Sequence, residues 1–95
     1  MKQRALIYAR GGDGNLREIC GQLLVEGLAL RVELHSAAQM YLKKDQPKLT
    51  SVGRIMVLEV PAEHAETCLR RMKKHLEDFG DDSFSAVAVP VIAWS

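Results

Sequence analysis

RIMVLEVPAEHAETCLRRMKKHLEDFG, residues 54–80, joins two patterns of different period. Its first seven residues, Arg54–Val60, are apolar on nearly both faces, the pattern of a central strand. Pro61 closes the strand and is tolerated at the first position of a helix. Ala65, Cys68, Leu69, Met72, Leu76 and Phe79 then recur at steps of three and four, an amphipathic stripe that stops at Gly80. Glu66 with Arg70, and Lys73 with Glu77, form favourable i,i+4 pairs on its wet side.

The same strand-then-helix grammar opens the chain. RALIYA, Arg4–Ala9, reads as a short buried strand that stops at Arg10-Gly11-Gly12-Asp13-Gly14, where three glycines in four positions break any regular element. A helix is expected from Asn15 as N-cap, with Leu16, Ile19, Cys20, Leu23 and Leu24 on one side and Gly27 as its stop. Leu30–His35 alternates, sending Leu30, Val32 and Leu34 to a core and Arg31, Glu33 and His35 to water. Asp81 and Asp82 make a turn before the last strand, Ser85–Trp94.

Strand, helix, strand, strand, helix, strand is the order of a ferredoxin-like α+β fold: a four-stranded antiparallel sheet, order 4-1-3-2, with two helices on one face. The second and fourth strands look like edges, since one is charged on one face and the other carries Pro90. Residues 36–53 are expected as a long basic connection in which Lys43, Lys44 and Lys48 are solvated. Ser36 can also cap a helical turn over Ala37–Lys44, before Asp45-Gln46-Pro47. If that turn is a true crossover helix, the alternative is a small doubly wound α/β sheet.

Ninety-five residues are expected to make one domain, 1–95, with a single core. Lys plus Arg number 13 against 12 Asp plus Glu, so no net field draws the chain to nucleic acid or acidic lipid. The apolar stretch behind the charged N-terminus is too short for a signal peptide, and the longest apolar run, Ala86–Trp94, holds Pro90 and does not span a membrane. A cytoplasmic protein is expected. Cys20 and Cys68 fall on the apolar faces of the two helices without CxxC or Cys/His spacing and are expected to be buried, reduced thiols.

Helices on one face leave the other face of the sheet to be covered, yet the strands are apolar on both: Val57, Val87, Val89 and Val91 oppose Leu58, Ala86 and Ala88. Burying several hundred Å² at about 25 cal/mol per Å² offers on the order of 10 kcal/mol before association costs. A homodimer through the open sheet face is therefore expected, with Val57, Val87, Val89 and Val91 at its interface. The competing cover is the 36–53 connection folded over that face within one chain.

Arg10, Gly11, Gly12, Gly14 and Asn15 form an anion-binding candidate, because free backbone N–H groups and a helix dipole meet at the strand-to-helix loop. Their spacing is neither GxGxxG nor a P-loop, so no nucleotide and no cofactor is specified. His35, His64 and His75 do not have metal-ligand spacing and read as surface residues, and no Ser or Cys sits in a nucleophile motif. Two basic clusters, Arg70–His75 and Lys43, Lys44, Lys48 and Arg54, are interleaved with carboxylates and lack stacking aromatics, which argues against nucleic-acid binding. Tyr8-Ala9-Arg10 with Asn15-Leu16 resembles the start of a serine recombinase catalytic domain, but Gly12 stands at its nucleophile position. Residues 56–94 are similar to the last palm segment of family A DNA polymerases, with Gly53-Arg54-Ile55 in place of the metal motif. Neither likeness carries its chemistry. The expected function is a homodimeric module without evident catalysis that binds a protein partner or small ligand. Its alternatives are a phosphate or carboxylate sensor or enzyme, and a nucleic-acid accessory protein.

Overall fold

The computed structural model describes residues 3–91, in an α+β arrangement. In chain order its elements are β1 (Arg4–Arg10), α1 (Asp13–Val25), β2 (Arg31–Lys43), β3 (Gln46–Pro61), a 3-10 turn (Ala62–His64), α2 (Ala65–Asp78) and β4 (Ser85–Pro90). The four described strands lie in the order β2-β3-β1-β4, so β2 and β4 are the outer ones. Every pairing is antiparallel. The doubly wound alternative is thereby corrected: it needs a crossover helix over 37–44, and that segment is strand.

Cross-strand partners share a face. On one side Ala5, Ile7 and Ala9 pair with Val60, Leu58 and Met56, and all six are buried. Leu16, Ile19, Cys20 and Leu23 of α1 and Cys68, Met72 and Leu76 of α2 close the same core, so both helices cover this face. On the other side Tyr8 sits between Val57 and Val87, and Leu6 lies beside Val89. No described helix covers it.

The largest correction concerns residues 36–53. They form no loop and no helical turn: β2 and β3 run on as one hairpin, from Ser36↔Arg54 to Lys43↔Gln46. Lys44 and Asp45 turn the chain with φ of 51° and 64°, the left-handed conformation of a two-residue type I′ turn. Ala37 pairs with Gly53 while Ala38 pairs with Ser51, so β3 holds one extra residue at a bulge. Gly53 takes φ +91° there, which only glycine adopts freely. The hairpin stays in the plane of the sheet and does not fold over the uncovered face.

Smaller differences have local causes. α1 starts at Asp13 with Gly12 as N-cap, ahead of the expected Asn15, and the Gly12 carbonyl accepts the Leu16 N–H at 2.8 Å. A 3-10 turn separates Pro61 from α2. Leu30, just before β2, and Leu34 remain substantially exposed at the outer edge of the sheet, although Val32 between them packs against the core, and Phe79, past the end of α2, is exposed too. Arg70 bonds Thr67 at 3.4 Å instead of pairing with Glu66. Residues 92–94 of the expected last strand lie outside the described residues.

Candidate functional site

Three chain segments converge where β1 ends, α1 begins and the β2–β3 hairpin runs on past β1. There Arg10, Gly11, Asp13, Gly53, Arg54 and Ser83 line an open cleft of about 580 Å³. Strand β1 delivers Arg10, the bulge at Gly53 places Arg54, and the link from α2 to β4 brings Ser83. Of the anion-binding candidates, Arg10 and Gly11 line the cleft; Gly12, Gly14 and Asn15 belong to the same helix start.

The electrostatics are mixed. Asp13 lies in the first turn of α1, where its charge complements the helix dipole. Its Oδ2 is 3.5 Å from Nη2 of Arg17 and 3.9 Å from Nη1 of Arg54. Among the described residues Arg10 has no ion-pair partner.

The α1 terminus already holds a carboxylate of the chain itself. The Gly12 N–H donates to Asp81 Oδ2 at 2.5 Å, while Asp81 Oδ1 accepts the Ser83 N–H at 2.9 Å and the Ser83 O–H at 2.5 Å. The Asp81 N–H donates to the Leu76 carbonyl at 2.9 Å. The bonds to its carboxylate, the Ser83 hydroxyl first, hold the Asp81 carboxyl below its ordinary value. Asp81 thus ties the end of α2 to the start of α1. Sequence reading assigns it only a turn, because its partner Gly12 is 69 positions away. The glycines serve the same closeness: a Cβ at Gly12 would sit 2.5 Å from Asp81 Oδ2, and one at Gly11 2.5 Å from Leu76 Cδ2.

The remaining titratable groups are structural in placement. Cys20 and Cys68 are free and buried between the helices. Burial, then the neighbouring Cys68, pushes the Cys20 thiol up to about 12, and burial also raises Cys68. Neither supplies thiolate at neutral pH. His75 departs from the surface position expected of it. Its ring is 5.0 Å from Phe79, and its Nε2 is buried without a hydrogen-bond partner among the described residues, 3.9 Å from Glu18 Oε2. Glu26 accepts two bonds from Arg71, at 2.6 and 2.7 Å, joining the C-terminal end of α1 to the middle of α2. Among the described residues no three His, Cys, Asp or Glu side chains come together as a metal-binding group. No described helix is long and apolar enough to cross a membrane.

The interface candidates fall together. Val57, Val87 and Val89 lie on the face opposite the helices, with Tyr8 and Leu6 between them. Val91 continues this edge, its N–H donating to the Arg4 carbonyl at 2.9 Å.

No protein-family model matches the chain, and no curated protein is similar to it in sequence. Solved structures share its fold. CutA from Xylella fastidiosa is 17% identical with a TM-score of 0.66, over 100% of this chain and 88% of that one. A DUF3240 family protein from Shewanella baltica is 9% identical with a TM-score of 0.66, over 100% and 97%. The periplasmic divalent cation tolerance protein CutA from Archaeoglobus fulgidus is 13% identical with a TM-score of 0.61, over 97% and 87%. At these identities the likeness is one of fold.

Proposed function

We propose that this chain is a small ferredoxin-like binding module that works as a homodimer, assembled through the sheet face its helices leave open. The observation that carries this is the exposure of apolar side chains there: Tyr8 is 41%, Val87 56% and Val89 43% exposed. Patches of this kind mark interfaces. The alternative cover has gone, since residues 36–53 lie in the sheet plane. The fold shared with the divalent cation tolerance protein from Archaeoglobus fulgidus is in keeping with a binding or tolerance role. Two free, buried thiols suit the cytoplasm, where we place the protein. Light scattering across a dilution series tests the assembly: a mass near twice 10.6 kDa that persists on dilution supports it. Val57→Asp or Val89→Asp is expected to return the monomer with unchanged far-UV circular dichroism. A dimer that survives both substitutions overturns the geometry.

A second reading rests on the cleft, where Arg54 joins Arg10 beside the start of α1. It assigns the cleft a small phosphate or carboxylate, held by the two guanidinium groups, with the Gly12 amide left to Asp81. Chemical shifts of Gly11, Arg54 and Ser83 are expected to move together as phosphate is added. No movement at millimolar phosphate removes this reading.

A further inference from the structure

Polar links tie the two helices together at both ends of their contact. Past the end of α2, Asp81 accepts the N–H of Gly12 at the start of α1, and Arg71 donates to both carboxylate oxygens of Glu26 at the end of α1. Between these lies a third pair, Glu18 of α1 and His75 of α2, and it is open. Glu18 Oε2 stands 3.9 Å from His75 Nε2, beyond the length of a hydrogen bond.

The two members of this pair differ in freedom. The His75 ring packs against Phe79 with centroids 5.0 Å apart, its side chain is 14% exposed, and its Nε2 is buried without a partner among the described residues. A ring nitrogen so placed has given up its bonds to water and gained none in return, which is rare in folded chains. Glu18 is 54% exposed, and among the described residues His75 is its sole ion-pair neighbour. A shift of about 1 Å by this one solvated side chain brings the pair to the length of a charge-assisted hydrogen bond.

The other charged groups around His75 are engaged elsewhere. On α2, Arg71 is taken by Glu26, and Lys74 holds Asp78 at 3.3 Å. On α1, Arg17 pairs with Asp13. On the link to β4, Asp81 is bound to Gly12 and Ser83, and Asp82 shares a separate hollow with Lys73 and Glu77. Strand β4 itself carries no charged side chain.

We infer that Glu18 and His75 form a proton-operated clasp between α1 and α2, open while the imidazole is neutral and closed when it is protonated. A neutral ring has one N–H and no charge, whereas the protonated ring has an N–H at each nitrogen and a positive charge. The proton comes from water, Nε2 donates it to the Glu18 carboxylate, and no covalent bond between heavy atoms changes. The closed clasp makes the folded chain hold a proton more firmly than the unfolded chain, so the contact adds stability as pH falls through the histidine range and is lost as pH rises through it. Its sign is opposite to that of the Asp81 link, which is lost on acidification. Because α1 starts at the cleft, the clasp sets how firmly the helix leading out of the cleft is held on its neighbour.

Urea unfolding of the wild type, Glu18→Gln, His75→Gln and the double variant, at one protein concentration, is the test. It is run at about pH 5.5 and about pH 8, which straddle the ordinary histidine value and lie above those of carboxylates. The mutant cycle cancels the other histidines beside carboxylates, His35 at Glu33 and His64 at Glu63. The expected coupling is about threefold or more in the folded-to-unfolded ratio at the lower pH and none at the higher. Equal coupling at both conditions, or none at either, overturns the clasp. Should His75→Gln fail to fold, the exposed site carries the test alone: Glu18→Gln is expected to lower the ratio about threefold at the lower pH only. Proton NMR gives a direct readout at that pH. The Nε2 proton of His75 is expected to be protected from exchange with water in the wild type and to lose that protection in Glu18→Gln; equal protection in the two overturns the bond to Glu18.

Discussion

Gly11 and Gly21 are the same residue type in opposite surroundings. A methyl at Gly11 would meet Leu76 Cδ2 at 2.5 Å, and Leu76 is wholly buried, so relieving the contact means shifting a core side chain. Gly11→Ala should therefore cost about 1–3 kcal/mol as overpacking. Nothing lies within 4 Å of a methyl at Gly21, which is interior to α1. Gly21→Ala should add about 0.8–1 kcal/mol of helix propensity and raise Tm by roughly 4–8 °C. Thermal unfolding of the two variants is expected to shift in opposite directions. Asp81 makes a pH prediction. Its folded carboxyl titrates below its unfolded one, so its contribution is complete above the ordinary carboxylate value and is lost as pH falls through the depressed one. Asp81→Asn should flatten the acid side of the stability curve in that window, measured by denaturant titration at several pH values. Cys20, with its thiol pushed up to about 12, should resist thiol reagents at pH 8 until denaturant opens the helix pair.

At the scale of elements, the β2–β3 turn is built from residues poorly suited to it. Lys44 and Asp45 both take positive φ, where an asparagine followed by a glycine is the favoured pair. The double substitution Lys44→Asn with Asp45→Gly should stabilise the chain by about 1 kcal/mol, seen as a higher denaturant midpoint at unchanged slope. The same mismatch explains why the outer hairpin was not legible in the sequence. Met40 and Leu42 alternate with Gln39 and Tyr41 as a strand should, but a lysine followed by an aspartate gives no turn signal, and the bulge at Gly53 breaks the phase between the outer hairpin and the buried half of β3. The elements that were legible have strong periodicity: α2 through Cys68, Met72 and Leu76, β1 through Ile7 and its neighbours, and the outer strands through the charges of β2 and Pro90 of β4. Arg10 was legible as a cleft residue because a glycine-rich loop after a strand announces itself. Arg54 and Ser83 were not, since a bulge and the Asp81 bond across the fold put them there.

Taken whole, the molecule is a thin slab, 48 × 38 × 17 Å, with helices on one side of a single sheet. Two layers bury one apolar face of a sheet and leave the other uncovered, so in the proposed dimer stability and assembly are coupled. If the folded state is the dimer, mass action must appear in its melting. A hundredfold rise in protein concentration then adds about 2.7 kcal/mol per dimer, and Tm should climb by roughly 5–10 °C. Val87→Asp, on the outer strand β4 beside Tyr8 on the open face, should melt at the same temperature at every concentration. It should also melt below the wild type wherever the wild type is dimeric, because the charge removes the partner without touching the helix-side core. A wild-type Tm independent of concentration would mean that the exposed valines are tolerated in water, and the face would then have to be explained by a ligand of different chemistry.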